Sequence, residues 1–308
     1  MSAAEKLGVT PPPVAENKLF NVGAPTVTLL VEAGSDERFW RTFVHRDCLV
    51  RAHHRGGRPG VLAMLNAPND QGRMILACLD ADLDRVVGAL SPRDDVFWTD
   101  AHDLETTLLT LPGLLEKLVR RVVGPARWRD ELLSQLLQFV RPAAILRWLR
   151  AQKKDERVTA LRLHKRDKDG DIKGRFDKWD ALISAELTPD AEAFLKHVIH
   201  YNSAQKLLKQ LPDLAAALGA GPDAPDAQLC NGHDLIGALR AWLQHRVPSK
   251  TADPATTHKL ADDEALTEKL IDCCEHAHLT QTAMWRAMLA WQAAHPRYPL
   301  LGAAPPRG

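Results

Sequence analysis

ILACLDADLD, residues 75–84, runs five apolar residues straight into three carboxylates spaced two apart. With Met74 before it, an aliphatic run of this length reads as a buried strand whose carboxyl end meets either solvent or something cationic. Similar segments lie on both sides. Residues 26–31, TVTLLV, are β-branched and apolar and predict another buried strand. Residues 32–36, EAGSD, then form a turn with Ser35 as the expected N-cap. A helix over 37–44 places Phe39, Trp40 and Phe43 on one face. Residues 47–52 and 95–99 predict two more strands, and 61–66 a short helix. Strand alternating with helix over short links predicts an α/β fold, a parallel sheet flanked by helices.

Beyond about residue 110 the rhythm changes. Leucine-rich segments at 104–123, 130–150, 190–219, 233–246 and 264–293 carry three-four spacing and predict a mostly helical region, with the apolar stripes as core. The expected organisation is a flexible polar segment at 1–20, an α/β domain at 21–110, a helical domain at 111–302 and a flexible tail at 303–308.

Bulk composition excludes several classes. The 308 residues are 45% hydrophobic and 26% charged, as in ordinary globular chains. Forty Lys+Arg against 39 Asp+Glu leave a net charge of +1, so nucleic-acid binding must use local patches. Five cysteines without a paired C-x-x-C framework predict reduced thiols and a cytoplasmic protein. No apolar run approaches the roughly 18 residues of a membrane span, and the N-terminal stretch lacks a hydrophobic signal core.

In an open parallel sheet, ligands sit at the carboxyl ends of strands. Glu32 ends the first predicted strand, and Asp80 ends the third. If the backbone stays extended, Asp80 and Asp82 project to one side. Asp36 lies about one helical turn after Glu32. Clustered carboxylates raise one another's pKa, and a bound divalent cation removes that conflict. An all-oxygen donor set suits Mg²⁺ or Mn²⁺ rather than zinc. The alternative is a solvated turn with helix-start charges.

These residues resemble a Toprim domain. Residues 30–36, LVEAGSD, look like that family's V-E-G-x-x-D, with Asp36 in register and Ala33 where glycine is usual. Asp80 and Asp82 match its D-x-D. Residues 99–105, TDAHDLE, resemble a D-x-H-x-x-E element of Toprim-like proteins in bacterial anti-phage defence, and residues 231–235, NGHDL, a short motif of their helical half. That group includes the Toprim effector of the phage anti-restriction-induced system and is related to overcoming-lysogenisation-defect nucleases. The resemblance covers residues 20–110 well and the remainder loosely. It implies metal-dependent cleavage of DNA or RNA, transfer RNA included, with Glu32 as general base or metal ligand. Asp80 and Asp82 would be the main Mg²⁺ ligands and Asp36 an additional one. Asp103 and Glu105 either complete a second metal site or are helix-start charges. No G-x-x-x-x-G-K-[ST] is present here, so if activity is gated by a nucleotide, a partner ATPase, for which the resemblance suggests the ABC type, must supply it. A homodimer is one assembly compatible with these features.

Phosphates need cations. Arg55 and Arg58 in the basic Gly-rich loop 53–60, and Lys165 and Arg166 in the charged segment 153–178, are the candidates, with a solvated loop and connector as the alternatives. Asp167, Asp169 and Asp171 do not make a calcium loop, since Gly170 and Lys178 fall at the wrong positions. His233 and Asp234 read as a structural pair at a helix start. Two rival functions stay open: a non-catalytic acidic subunit of an ATPase-containing defence complex, and a phosphotransfer enzyme in which Leu83 and Asp84 depart from D-x-D-x-[TV].

Overall fold

In the computed structural model the described residues are 27–53, 57–67, 74–124, 129–153, 155–161, 163, 179–183, 187–188, 190–246 and 262–302. The segments expected to be flexible, 1–20 and 303–308, lie outside them, as do Arg55, Lys165 and Arg166. The chain divides into two compact units. The first holds the described residues up to Leu79, with Pro92–Trp98 and those from Met284 onward; the second is Asp80–Ser91 with Thr99–Ala283.

The first unit is α/β. Its elements are β1 (Val27–Val31), α1 (Gly34–Phe43), β2 (Cys48–Ala52), α2 (Gly57–Leu65), β3 (Met74–Leu79) and β4 (Val96–Trp98). The sheet has the order β2-β1-β3-β4 and every pair is parallel. All four predicted strands are present, and none differs by more than one residue at either end. Helix α1 begins earlier than expected: Ala33 is the N-cap and Ser35 lies inside the first turn.

A parallel sheet must be covered on both faces. Alternation along the strands supplies two apolar surfaces. Leu30, Ala77, Leu79 and Val96 pack with Val61 of α2, joined by Leu62, Leu65, Ile75 and Trp98. The opposite set includes Cys78, whose sulfur lies 3.4 Å from that of Met284. Met284 belongs to a helix at Ala283–Ala294, which returns late in the chain. Trp285 from that helix stacks on Trp40 of α1 at 6.5 Å and meets Phe43 edge-on. The segment after it is stitched to the same unit. Val44 bridges Leu301, the His45 N–H donates to the Leu300 carbonyl at 2.8 Å, and the Gly302 N–H donates to that of Phe43 at 2.9 Å.

The second unit is helical. Its longer helices are α3 (Leu104–Thr110), α4 (Leu114–Val123), α5 (Leu132–Gln152), α6 (Ala191–Tyr201), α7 (Leu211–Gly219), α8 (Gly232–Arg246) and α9 (Asp263–Cys273). The helix at Ala283–Ala294 is α10. The predicted 104–123 segment breaks at Pro112 and Gly113, where Gly113 takes a left-handed φ of 77° that a side chain would resist. No helix among the described residues is long and apolar enough to cross a membrane.

Candidate functional site

In the first unit, Glu32 follows β1 directly and is half-buried. Its carboxylate lies against the start of α2. A methyl group placed on Gly57, itself at a left-handed φ of 48°, would sit 3.7 Å from Glu32 Oε2. Asp36 is buried, and its oxygens turn towards its own helix start. Oδ2 accepts from the Ala33 N–H at 3.0 Å and Oδ1 from the Ser35 hydroxyl at 3.4 Å. Alanine has no side-chain acceptor for a helix cap, so Asp36 reaches back to the N-cap amide, as the third residue of a capping box does. Arg58, in the first turn of α2, lies over the Trp98 ring at 5.8 Å, a cation–π contact.

In the second unit, the residues after β3 are braced against the loop that follows β4. The Ala81 N–H donates to the Thr99 hydroxyl at 2.9 Å, and the Asp82 N–H to the His102 carbonyl at 2.6 Å. Asp80 Oδ1 accepts from the Leu104 N–H at 3.1 Å, and Arg85 donates to the Thr99 carbonyl at 2.5 Å. The expectation of extended backbone through the D-x-D fails here. Ala81 is helical, Asp82 has φ 46°, and Asp82–Asp84 form a 3₁₀ turn. The cause is visible in the bonds: the amides of Ala81 and Asp82 both turn to acceptors in the 99–102 loop. Aspartate is among the few non-glycine types that tolerate the left-handed region.

His102 is 4% exposed. Its Nδ1 is 3.3 Å from the Gln228 carbonyl oxygen, and its Nε2 is 3.6 Å from Asp82 Oδ1. The His102 N–H donates to the Ala227 carbonyl at 2.9 Å. Both ends of the residue are thereby fixed.

Asp103 is the N-cap of α3. Its Oδ1 accepts from the Thr106 N–H at 2.8 Å and its Oδ2 from the Gly232 N–H at 2.6 Å. Of the two roles open to Asp103, these bonds describe the helix-start one. Glu105, in the first turn, is fully enclosed, and burial followed by the charge of Asp103 pushes its carboxyl up to about 7. Gly232 closes over both: a Cβ there would lie 2.4 Å from Asp103 Oδ1 and 2.5 Å from the Glu105 Cβ. The two short motifs at 99–105 and 231–235 therefore meet in space. The residues beside them are tied in as well, since the Cys230 carbonyl accepts from the Thr106 hydroxyl at 3.1 Å, and within the second motif buried Asp234 pairs with Arg147. His233 is exposed, with its N–H on the Asn231 side chain at 3.0 Å.

Glu32 and Asp36 thus belong to the first unit, and Asp80, Asp82, Asp103 and Glu105 to the second. Among the described residues, no three His, Cys, Asp or Glu side chains are grouped to hold a metal ion. Asp80 Oδ1 is oriented by the Leu104 N–H, and Asp82 Oδ1 lies beside the His102 ring. The asset missed by sequence reasoning is His102. It stands inside the motif at 99–105, but only its contact with Asp82 gives it a role. Neither a family model nor a curated protein matches the chain.

Proposed function

We propose that this protein is a Toprim-like, Mg²⁺-dependent nuclease acting on DNA or RNA, an effector of anti-phage defence gated by an ATPase partner. One observation carries it. β1 and β3 are hydrogen-bonded parallel neighbours, and the residues next in the chain are Glu32 and Asp80. In open α/β sheets, ligands bind outside the carboxyl ends of the strands, and a carboxylate follows each of these two strands in the chain. When bound, Mg²⁺ neutralises phosphate charge and activates water for phosphodiester cleavage. Asp80 and Asp82 would hold the ion on this account. Glu32 takes a proton from the attacking water. Asp36 fixes the start of α1, and so the turn that carries Glu32. Asp103 serves as a helix cap and Glu105 as a buried structural acid, so neither is assigned to the ion.

The deciding experiment is cleavage of DNA and RNA panels, transfer RNA included, with Mg²⁺ and with chelator. Wild type is compared with Glu32→Ala and Asp80→Ala, each alone and with a candidate ATPase partner. Loss of cleavage by at least about 100-fold in both variants is expected, the low end of what a positioned acid–base group contributes. Equal cleavage by all three proteins would remove the catalytic assignment. A chain that binds the ATPase but never cleaves would instead be a regulatory subunit.

A further inference from the structure

We propose that Arg58, held in position by Trp98, binds a backbone phosphate of the nucleic acid at the carboxyl edge of the sheet. This deepens the nuclease reading, on which it rests for its substrate.

Both residues belong to the first unit, and the strand register places them. Trp98 is the last residue of β4 and pairs with Leu79, the last of β3. Arg58 is the second residue of α2. Helix α2 follows β2, so it starts at the carboxyl edge and runs back along the face where Val61 meets Leu30, Ala77, Leu79 and Val96. Gly57 stands beside Glu32, whose Oε2 lies 3.7 Å from a methyl group placed there. The next residue, Arg58, lies over the Trp98 ring at 5.8 Å. In the sheet β3 separates β1 from β4. Those two strands are therefore about two inter-strand distances apart, roughly 10 Å. The first turn of α2 and its arginine thus reach across the end of β3, at the edge where open α/β sheets bind ligands.

The charge is badly placed for the helix itself. Aligned amide dipoles leave a helix N-terminus positive, so carboxylates stabilise it and cations do not. The first turn of α2 has no acidic residue and carries Arg58 instead. Pro59 beside it has no N–H to offer an anion. Contact with the negative face of the indole offsets part of the dipole cost and sets where the guanidinium lies. Arg58 and Trp98 are both half-buried, anchored yet open to a ligand. A guanidinium carries five N–H donors in a fixed fork that matches phosphate oxygens in pairs. The rival account makes Arg58 a counter-charge for Glu32 that also covers the indole and never touches substrate.

Salt dependence separates the two. The probes are a fluorescein-labelled single-stranded DNA and the RNA of the same sequence, bound to the full-length chain in chelator over a series of KCl concentrations. Each phosphate neutralised on a single strand contributes about 0.7 to the slope of log K against log salt. Arg58→Ala is expected to bind both probes with a slope shallower by about 0.7, and Arg58→Lys, which keeps the charge, to retain the wild-type slope. Trp98→Leu is expected to weaken binding of the wild-type chain and to add nothing in an Arg58→Ala background, because it acts through the arginine. An unchanged slope in Arg58→Ala, or no salt-dependent binding by wild type, overturns the proposal. Additive losses from Arg58→Ala and Trp98→Leu overturn the positioning role of Trp98. If Arg58→Ala is unfolded by circular dichroism, Arg58→Gln replaces it with the same expectation. An unchanged slope with Mg²⁺-dependent cleavage intact would sink the phosphate contact and keep the nuclease. A shallower slope in Arg58→Ala with no cleavage by wild type would do the reverse.

Discussion

Gly232 has no room for a methyl group. The clash would fall on a carboxylate oxygen, a Cβ and, at 3.0 Å, the Thr106 amide nitrogen, none of which is the loose end of a long side chain. Gly232→Ala is therefore expected to cost about 1–3 kcal/mol, as overpacking does, read as a lower urea midpoint. Beneath it, Glu105 gives a pH signature of its own. Its carboxyl is raised from 4.5 to about 7 in the folded chain, so the folded state holds the proton more tightly than the unfolded state. The stability it contributes is full below about 4.5 and is lost as pH rises through about 7. Asp95, held low by Arg93, and Asp155, held low by Arg157, act in the opposite sense. Comparison with Glu105→Gln isolates the effect. Wild type is expected to lose stability relative to that variant as pH rises from 5 to 7.5, measured by denaturant unfolding at each pH.

Among the elements, the strands were the most legible part. Each is a short apolar run bounded by polar turns, and burial on both faces of a parallel sheet imposes that pattern. The helical stripes were equally plain, but a stripe does not say what it packs on. Met284, Trp285, Met288 and Trp291 read as a core face whichever unit they serve, and α10 turns out to complete the first unit with α1. Trp285→Ala is expected to destabilise that unit by about 3–5 kcal/mol, seen in denaturant unfolding followed by near-ultraviolet circular dichroism. The candidate site was legible as residue types and only partly as geometry. Asp80 and Asp82 were visible, but the left-handed turn at Asp82 was not, because amides of Ala81 and Asp82 find acceptors about 20 residues further on. The meeting of Asp103 with Gly232 is likewise a tertiary fact, 129 residues apart in the chain.

At the scale of the whole molecule, all five cysteines are free and buried. Burial pushes the Cys48, Cys230 and Cys274 thiols up to about 12, which removes the reactive thiolate at neutral pH. A thiol-specific reagent at pH 8 is expected to label the native chain slowly and to reach five groups per chain in denaturant. Rapid labelling of the native chain would contradict this burial. The first unit is assembled from three separated stretches, the last beginning at Met284. A chain emerging from the ribosome exposes β1 to β4 long before α10 exists. Until that helix is made, Trp40 and Phe43 lack the indole that stacks against them. The helical unit is complete in sequence at Ala283, whereas the strands wait for α10, so a chain that has not reached that helix carries Glu32 on an unfinished scaffold.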